Sequence, residues 1–477
     1  MKPEEYAALD ATGLAEVLAA GEISAEEVAE LAIDAVTAVN GELNAVAAGP
    51  FERPLGHSPG GRFAGVPFVF KDLVCHAAGV PTKMGTRMLG EGIRPPADTH
   101  LMERFREAGL ATVAVSTTPE FGFNANTEAL AYGSTRNPWN IEHSAGGSSG
   151  GSGALVAAGA VPVAHANDGG GSIRIPAAYN GLVGLKPSRG RVPLGPDLGD
   201  ALSGFAIEFA VTRSVRDAAA LLDDVAGPFP GDRFIIAPPA RPWAQEAGAD
   251  PGRLRIAVHT ESWAGTFVDP EVAAAAEATA AVLESAGHQV EHATPVFDWD
   301  EFMHANVVIW SAFLAESVAG VEAMTGLHAG PDNLETTSWA CVQYGRRVTA
   351  VELGAANAVV NTVSREVGRF FTEYDVLLTP TTNTPAPKLG HLDANADLDA
   401  AGWTRRIFET CSFTPLLNAT GTPGISLPVA MSDTGLPIGV QLAGPMCAEG
   451  LLLRVAAQLE TALPWADRQP AIHVTSV

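Results

Sequence analysis

The sequence predicts an α/β protein, a mixed β-sheet covered by helices. Segments of strand character alternate with segments of helical period along 477 residues, a pattern that packs helices over a sheet. The run Val66-Pro67-Phe68-Val69-Phe70 is apolar on both faces, as an interior strand of a covered sheet must be. Apolar residues make up 47% of the chain and charged ones only 17%, which favours a large buried core over disorder.

The elements follow in order. Residues 10–45 read as two helices, the second opened by a Ser24/Glu27 capping box with Val28, Leu31, Ala32, Ala35 and Val39 on one stripe. The apolar strand from Val66 ends on Lys71-Asp72, so Lys71 is expected to emerge from the core. A helix at about 98–108, capped by Asp98 and stopped by Gly109, leads into a strand at 111–115. Residues 116–147 read as a polar loop carrying Phe121, Phe123, Tyr132 and Trp139; loops this long in a compact chain are usually functional, although the aromatics equally suit packing beneath it. Residues 148–159 turn helical, 161–166 form a strand, and 169–172 make a tight glycine turn. A helix at 215–225, a proline-rich patch at 228–242, a strand at 254–258 and a helix from Asp269-Pro270 to Gly287 follow. Residues 301–373 read as mostly helical, and the chain ends with strands at 375–379, 424–429 and 438–443 and a helix at 448–462.

Composition narrows the function classes. A net charge of −25 repels polyanions, so no nucleic-acid partner is expected. Cys75, Cys341, Cys411 and Cys447 are far apart and form no CxxC pair, which suits buried thiols in a reduced compartment and neither a disulfide framework nor a metal site. Met1-Lys2-Pro3-Glu4-Glu5 lacks a signal-peptide core, and no later run reads as bilayer-spanning; a cytoplasmic protein without membrane contact is expected.

The chemistry concentrates between Gly146 and Arg191. Ser148 lies in Gly-Gly-Ser-Ser-Gly-Gly-Ser-Gly at 146–153, and Ser172 in Asn-Asp-Gly-Gly-Gly-Ser-Ile-Arg-Ile-Pro-Ala at 167–177. Glycine runs free the backbone and let a ligand approach closely. Residues 146–150 match the GxSxG nucleophile elbow, but that motif needs a strand directly before it and 140–145 read as a poor one. A nucleotide-binding module is the non-catalytic alternative, yet neither a Walker lysine nor GxGxxG after a strand is present. The twelve histidines are scattered without HExxH, and His165 reads as a paired core residue. No Ser-x-x-Lys exists, since positions 68, 80, 183 and 385 are Phe, Val, Val and Pro.

A serine without a histidine needs another base, and buried lysine can serve in its neutral form where arginine cannot. The chain has only five lysines, of which Lys71 and Lys186 are rivals; the strand-end position favours Lys71, and a buried Lys71–Asp72 ion pair is the structural alternative.

These residues, together with Val66-Pro67, Gly184-Leu-Lys-Pro-Ser-Arg-Gly-Arg191, Gly421-Thr-Pro-Gly-Ile-Ser-Leu-Pro428 and Gly435-Leu-Pro-Ile-Gly-Val-Gln441, resemble the amidase signature enzymes over about residues 10–465. Thr135-Arg-Asn-Pro-Trp139, Ala164-His-Ala-Asn-Asp168 and the end at 456–465 look most like the group of 6-aminohexanoate cyclic dimer hydrolases. The resemblance implies the amidase signature fold, a large mixed twisted β-sheet covered on both faces by α-helices. It implies one amidase domain over 1–477, with N-terminal helices at 1–62, a signature core at 63–227, a largely helical substrate-shaping region at 228–373 and the rest of the core at 374–477.

It also implies a Ser-cisSer-Lys triad and an acyl-enzyme. Ser172 would attack, Ser148 after a cis peptide bond would relay protons, and Lys71 would be the base, leaving Lys186 structural. The N–H groups of Gly169, Gly170, Gly171 and Ser172 would form the oxyanion hole, Asp168 and Arg174 would hold the turn, and Ser149 would brace Lys71. The family usually has Thr or Ile where this chain has Gly169, so a looser turn with extra room for the acyl group is expected. The family's frequent Gly-Lys-Thr-Asn is here Ala114-Val-Ser-Thr117. The expected reaction is hydrolysis of a small-molecule carboxylic amide, whether a linear or cyclic ω-amino acid amide, an aryl amide or a carbamate. Phe121, Gly122, Phe123, Asn124, Tyr132, Ile309 and Trp310 are the expected pocket residues. No metal or other cofactor is expected, and the chain would act as a monomer or homodimer. The alternative is the A subunit of a tRNA-dependent amidotransferase, which shares the triad but works with partner chains and ATP.

Overall fold

The structure, a computed structural model, describes residues 1–476. Its centre is a mixed sheet of eleven strands, in chain order β1 Val46–Ala48, β2 Pro67–Lys71, β3 Ala111–Ser116, β4 Val163–Asp168, β5 Val183–Lys186, β6 Ile207–Thr212, β7 Arg255–Val258, β8 Gln289–His292, β9 Val376–Pro380, β10 Gly424–Met431 and β11 Pro437–Ala443. Across the sheet they run β1-β3-β2-β4-β6-β5-β10-β11-β9-β7-β8. β2 is parallel to both β3 and β4, β6 is antiparallel to β4, and β7 is parallel to β8 and β9. Every residue of β2 through β6, and of β9 and β11, is buried, so the central strands are covered on both faces.

Sequence-local signals set much of this. The Ala25–Leu43 helix opens on the Ser24/Glu27 capping box, and Pro270–Ser285 on Asp269 with Pro270 in its first turn. The His100–Glu107 helix is capped by Thr99, not Asp98: the Thr99 hydroxyl accepts the Met102 N–H at 3.3 Å, while the Asp98 carboxylate takes the Ala78 N–H at 2.7 Å. The 116–147 segment is not featureless loop. It holds two small hairpins, pairing 128–129 with 133–134 and 136–137 with 140–144, so residues 140–144 are a strand after all, though outside the main sheet.

Two layers meet at the site. One core surrounds the sheet, and a second lies among the helices Trp299–Thr325, Thr336–Gly345, Ala350–Phe370 and Ala400–Thr410. The 299–325 helix corrects the reading that no run could span a bilayer: it is long and apolar enough, at a mean hydropathy of 1.5. In this fold it packs against the three other helices, with Trp310, Leu314 and Val318 buried. The C-terminal ends of parallel β2 and β4 open toward this helical layer, the position where α/β sheets carry their chemistry.

Candidate active site

Lys71 ends β2 with none of its side chain exposed. Its Nζ donates to Ser148 Oγ at 2.6 Å and also to Asn167 Oδ1. Burial pulls the Lys71 ammonium down to about 7, although the carboxylates of Glu208 and Asp168 oppose that shift. The amine is therefore available as a base near neutral pH. Lys186, the rival lysine, is equally buried but donates to the Pro187 carbonyl at 2.9 Å. Asp72 turns away from Lys71 to the Lys83 N–H and the Tyr132 hydroxyl.

The glycines around Ser148 are dictated by close approach. The Gly147–Ser148 peptide is cis, and a Cβ on Gly147 would lie 2.7 Å from the backbone of residues 124–126. Thr127 Oγ1 bridges the loop, donating to Gly146 O at 2.8 Å and accepting the Gly150 N–H at 3.1 Å. From there the Gly150–Ala157 helix runs back beneath the sheet.

Ser172 follows β4 through the turn 169–171 and precedes the Arg174–Asn180 helix. Asp168 governs that turn: its carboxylate accepts the Gly171 N–H at 2.7 Å and the Ile173 N–H at 3.1 Å, and pairs in bidentate fashion with Arg174 at 2.9 Å. Burial alone would raise the Asp168 carboxyl, but the Arg174 guanidinium overrides it and holds the group at about 2. Arg174 reaches on to the Thr414 carbonyl, Gln441 Oε1 and Asn418 Oδ1, so the Pro415–Thr420 helix and β11 clamp the turn. A Cβ on Gly171, whose φ is +138°, would meet Thr414 Oγ1 at 2.3 Å.

Several expectations are corrected here. The Gly171 N–H is committed to the Asp168 carboxylate and is not free to serve as one of the expected oxyanion donors. Ser149 does not touch Lys71; its hydroxyl brackets the Asn167 backbone, with both contacts at 3.3 Å, and Asn167 holds the amine. The sequence reading missed Asn167, whose signal was a polar residue closing an apolar strand. Gly169 leaves no extra room: a Cβ there would lie 2.9 Å from Trp310 Cη2 and 3.1 Å from Leu202 Cδ2. The Trp310 indole occupies the space and is itself stacked on Phe123 at 4.6 Å. Gly169→Ala is therefore expected to cost about 1–3 kcal/mol through overpacking, measured by denaturant unfolding, and the same substitution should cost much less when made in a Trp310→Leu background.

Ser148 and Ser172 open onto one cavity of about 320 Å³, lined by apolar side chains that include Leu73, Met84, Phe121, Leu202, Phe313 and Met324. Phe121, Gly122 and Trp310 line it. Phe123 and Asn124 instead line a second recess of about 20 Å³ that shares Ser172, Gly122 and Trp310. Tyr132 and Ile309 line neither: Tyr132 is tied to Asp72, and Ile309 is buried in the helical core. Glu208, unanticipated, also lines the large cavity; it lies opposite Asn167 in the β4–β6 register and faces His165 Nε2 at 2.7 Å.

A mixed, helix-covered sheet with a glycine-framed serine pair beside a buried lysine has the make-up of an amide-bond hydrolase. The chain belongs to the amidase family, whose profile matches residues 24–453. It is 42% identical over 475 residues to the 6-aminohexanoate-cyclic-dimer hydrolase of Paenarthrobacter ureafaciens, covering 97% of this chain and 96% of that one. It is 38% identical over 464 residues to the putative amidase AmiC of Mycobacterium tuberculosis, covering 96% and 95%. The solved structure of a 6-aminohexanoate cyclic dimer hydrolase superposes with a TM-score of 0.91 at 40% identity, covering 98% of this chain and 99% of that chain. A bacterial aryl acylamidase of the amidase signature family shares the fold with a TM-score of 0.85.

Proposed function

We propose that this amidase hydrolyses a carboxylic amide through an acyl-enzyme on Ser172, with Lys71 as base and Ser148 as proton relay. The observation that supports it most is the Lys71 Nζ–Ser148 Oγ contact of 2.6 Å at the edge of a cavity Ser148 shares with Ser172. Ser172 Oγ attacks the amide carbon while its proton passes through Ser148 to neutral Lys71. The N–H groups of Gly169, Gly170 and Ser172 face the developing oxyanion, where one donor typically contributes ~3 kcal/mol. The proton returns by the same path to the leaving nitrogen, the C–N bond breaks, and the amine departs. Water then attacks the ester with Lys71 as base, giving a carboxylic acid and free Ser172.

The substrate is a compact, largely apolar amide, of which cyclic or linear ω-amino acid amides, aryl amides and carbamates are the classes to compare. The relatives named for the 6-aminohexanoate cyclic dimer put ω-amino acid amides first. The enzyme works as a monomer or homodimer in the cytoplasm, where its three buried free thiols stay reduced. The purified chain, without ATP or partner, should turn over members of a panel of amides, esters and carbamates. Activity that appears only with ATP and partner chains would overturn the reading in favour of an amidotransferase subunit.

A further inference from the structure

The large cavity is apolar along its walls but one-sided in charge. The ionisable groups that line it are Asp168, Glu208, Asp197 and His76, and among the described residues no arginine or lysine lines it. Asp168 is neutralised by its bidentate pair with Arg174. Asp197 stands at the rim, 61% exposed and 3.4 Å from His76 Nε2. Glu208 is different: it is only 2% exposed, one carboxylate oxygen faces His165, and the other, Oε1, is buried without any hydrogen-bond partner. An unpartnered buried carboxylate oxygen is costly to leave empty-handed, so a donor is the group that relieves it and an anion the group that worsens it.

From this we infer that the enzyme is selective by charge: its long substrate arm is uncharged or ends in an ammonium or N–H donor, and arms ending in a carboxylate are excluded. The inference rests on the amide-hydrolase reading and narrows its substrate class. The net charge of −25 acts in the same sense, lowering the local concentration of anionic amides and raising that of cationic ones. The 20 Å³ recess that shares Trp310, Ser172 and Gly122 takes only a small group, so the long arm of an unsymmetrical amide belongs in the 320 Å³ cavity, and acyl-side and leaving-side arms are tested separately.

Two matched series test this, each with one long arm and one small side. The first compares hexanamide, 6-aminohexanamide and the monoamide of adipic acid; the second compares acetamides of hexylamine, 1,6-diaminohexane and 6-aminohexanoic acid. Turnover is measured with the parent, and affinity by calorimetry with the Ser172→Ala protein, which reads binding whether or not the chain hydrolyses these compounds. In both readouts the carboxylate member should be weaker than its neutral counterpart by about tenfold or more, and the ammonium member equal or tighter. Asp197→Asn should narrow the gap by about threefold, an effect that disappears in high salt because the group is exposed. Glu208→Gln should narrow it further. A carboxylate member that binds within threefold of the neutral one, or binding of none of the six, would overturn the inference. Ordered affinities without turnover would instead count against the hydrolase reading alone.

Discussion

Ser172→Ala should lose turnover of every amide the parent accepts, with kcat/KM falling by about 10⁴-fold or more, as expected when the attacking group of a covalent mechanism is removed. The fold should be unaffected. Ser172 is small and faces the cavity, and the turn that carries it is held by Asp168, Arg174 and Asn418, not by the serine hydroxyl. Unchanged circular dichroism and an unfolding midpoint close to the parent's would separate loss of chemistry from loss of structure. A residual rate within about tenfold of the parent, equivalent to ~1.4 kcal/mol of barrier, would remove Ser172 from the mechanism.

Lys71→Met should be nearly as severe, about 10³-fold or more in kcat/KM, because it keeps the buried stem and deletes the base. The pH profile carries the sharper information. Burial disfavours the Lys71 ammonium, so its proton leaves at about 7. Below that pH the amine is protonated and cannot accept the Ser148 proton; above it the amine is free. kcat/KM of the parent should thus rise with pH through about 7 and level off, and the residual rate of Lys71→Met should lack that limb. His165 is engaged elsewhere, its Nδ1 accepting the Lys71 backbone N–H at 3.2 Å and its Nε2 facing Glu208. An acid limb that survives in Lys71→Met would contradict the assignment.

What the sequence made legible was whatever depends on local chemistry. Glycine runs mark turns that a side chain would block, a capping box marks a helix start, and an apolar run ending on lysine marks a buried amine at a strand end. Each of these signals is written in neighbouring residues, as at Gly147, Ser24 and Lys71, even though the backbone that Gly147 must clear, at residues 124–126, is distant along the chain. What stayed hidden depends on partners far away in sequence. The glycine turn by itself implies open space beside Gly169, whereas the indole that fills it comes from the 299–325 helix. Asn167 and Glu208 meet only through the antiparallel register of β4 and β6, and nothing in either strand announces that pairing. Tyr132 looked like a pocket aromatic because it lies in the same loop as Phe121, but its hydroxyl is drawn to Asp72. Gly171 shows the same limit: the glycine run locates the oxyanion turn, and only the Asp168 side chain decides which N–H groups remain free.

The central claim, that Ser172 attacks and Ser148 relays, is tested most directly by trapping the covalent intermediate. The enzyme is mixed with a slowly deacylating aryl ester or carbamate, quenched in acid, digested, and its peptides are mapped by mass spectrometry. The account predicts the acyl or carbamoyl mass on Ser172, absent from Ser172→Ala and strongly reduced in Lys71→Met. The adduct on Ser148, or an equal yield of adduct from Ser172→Ala, would contradict it.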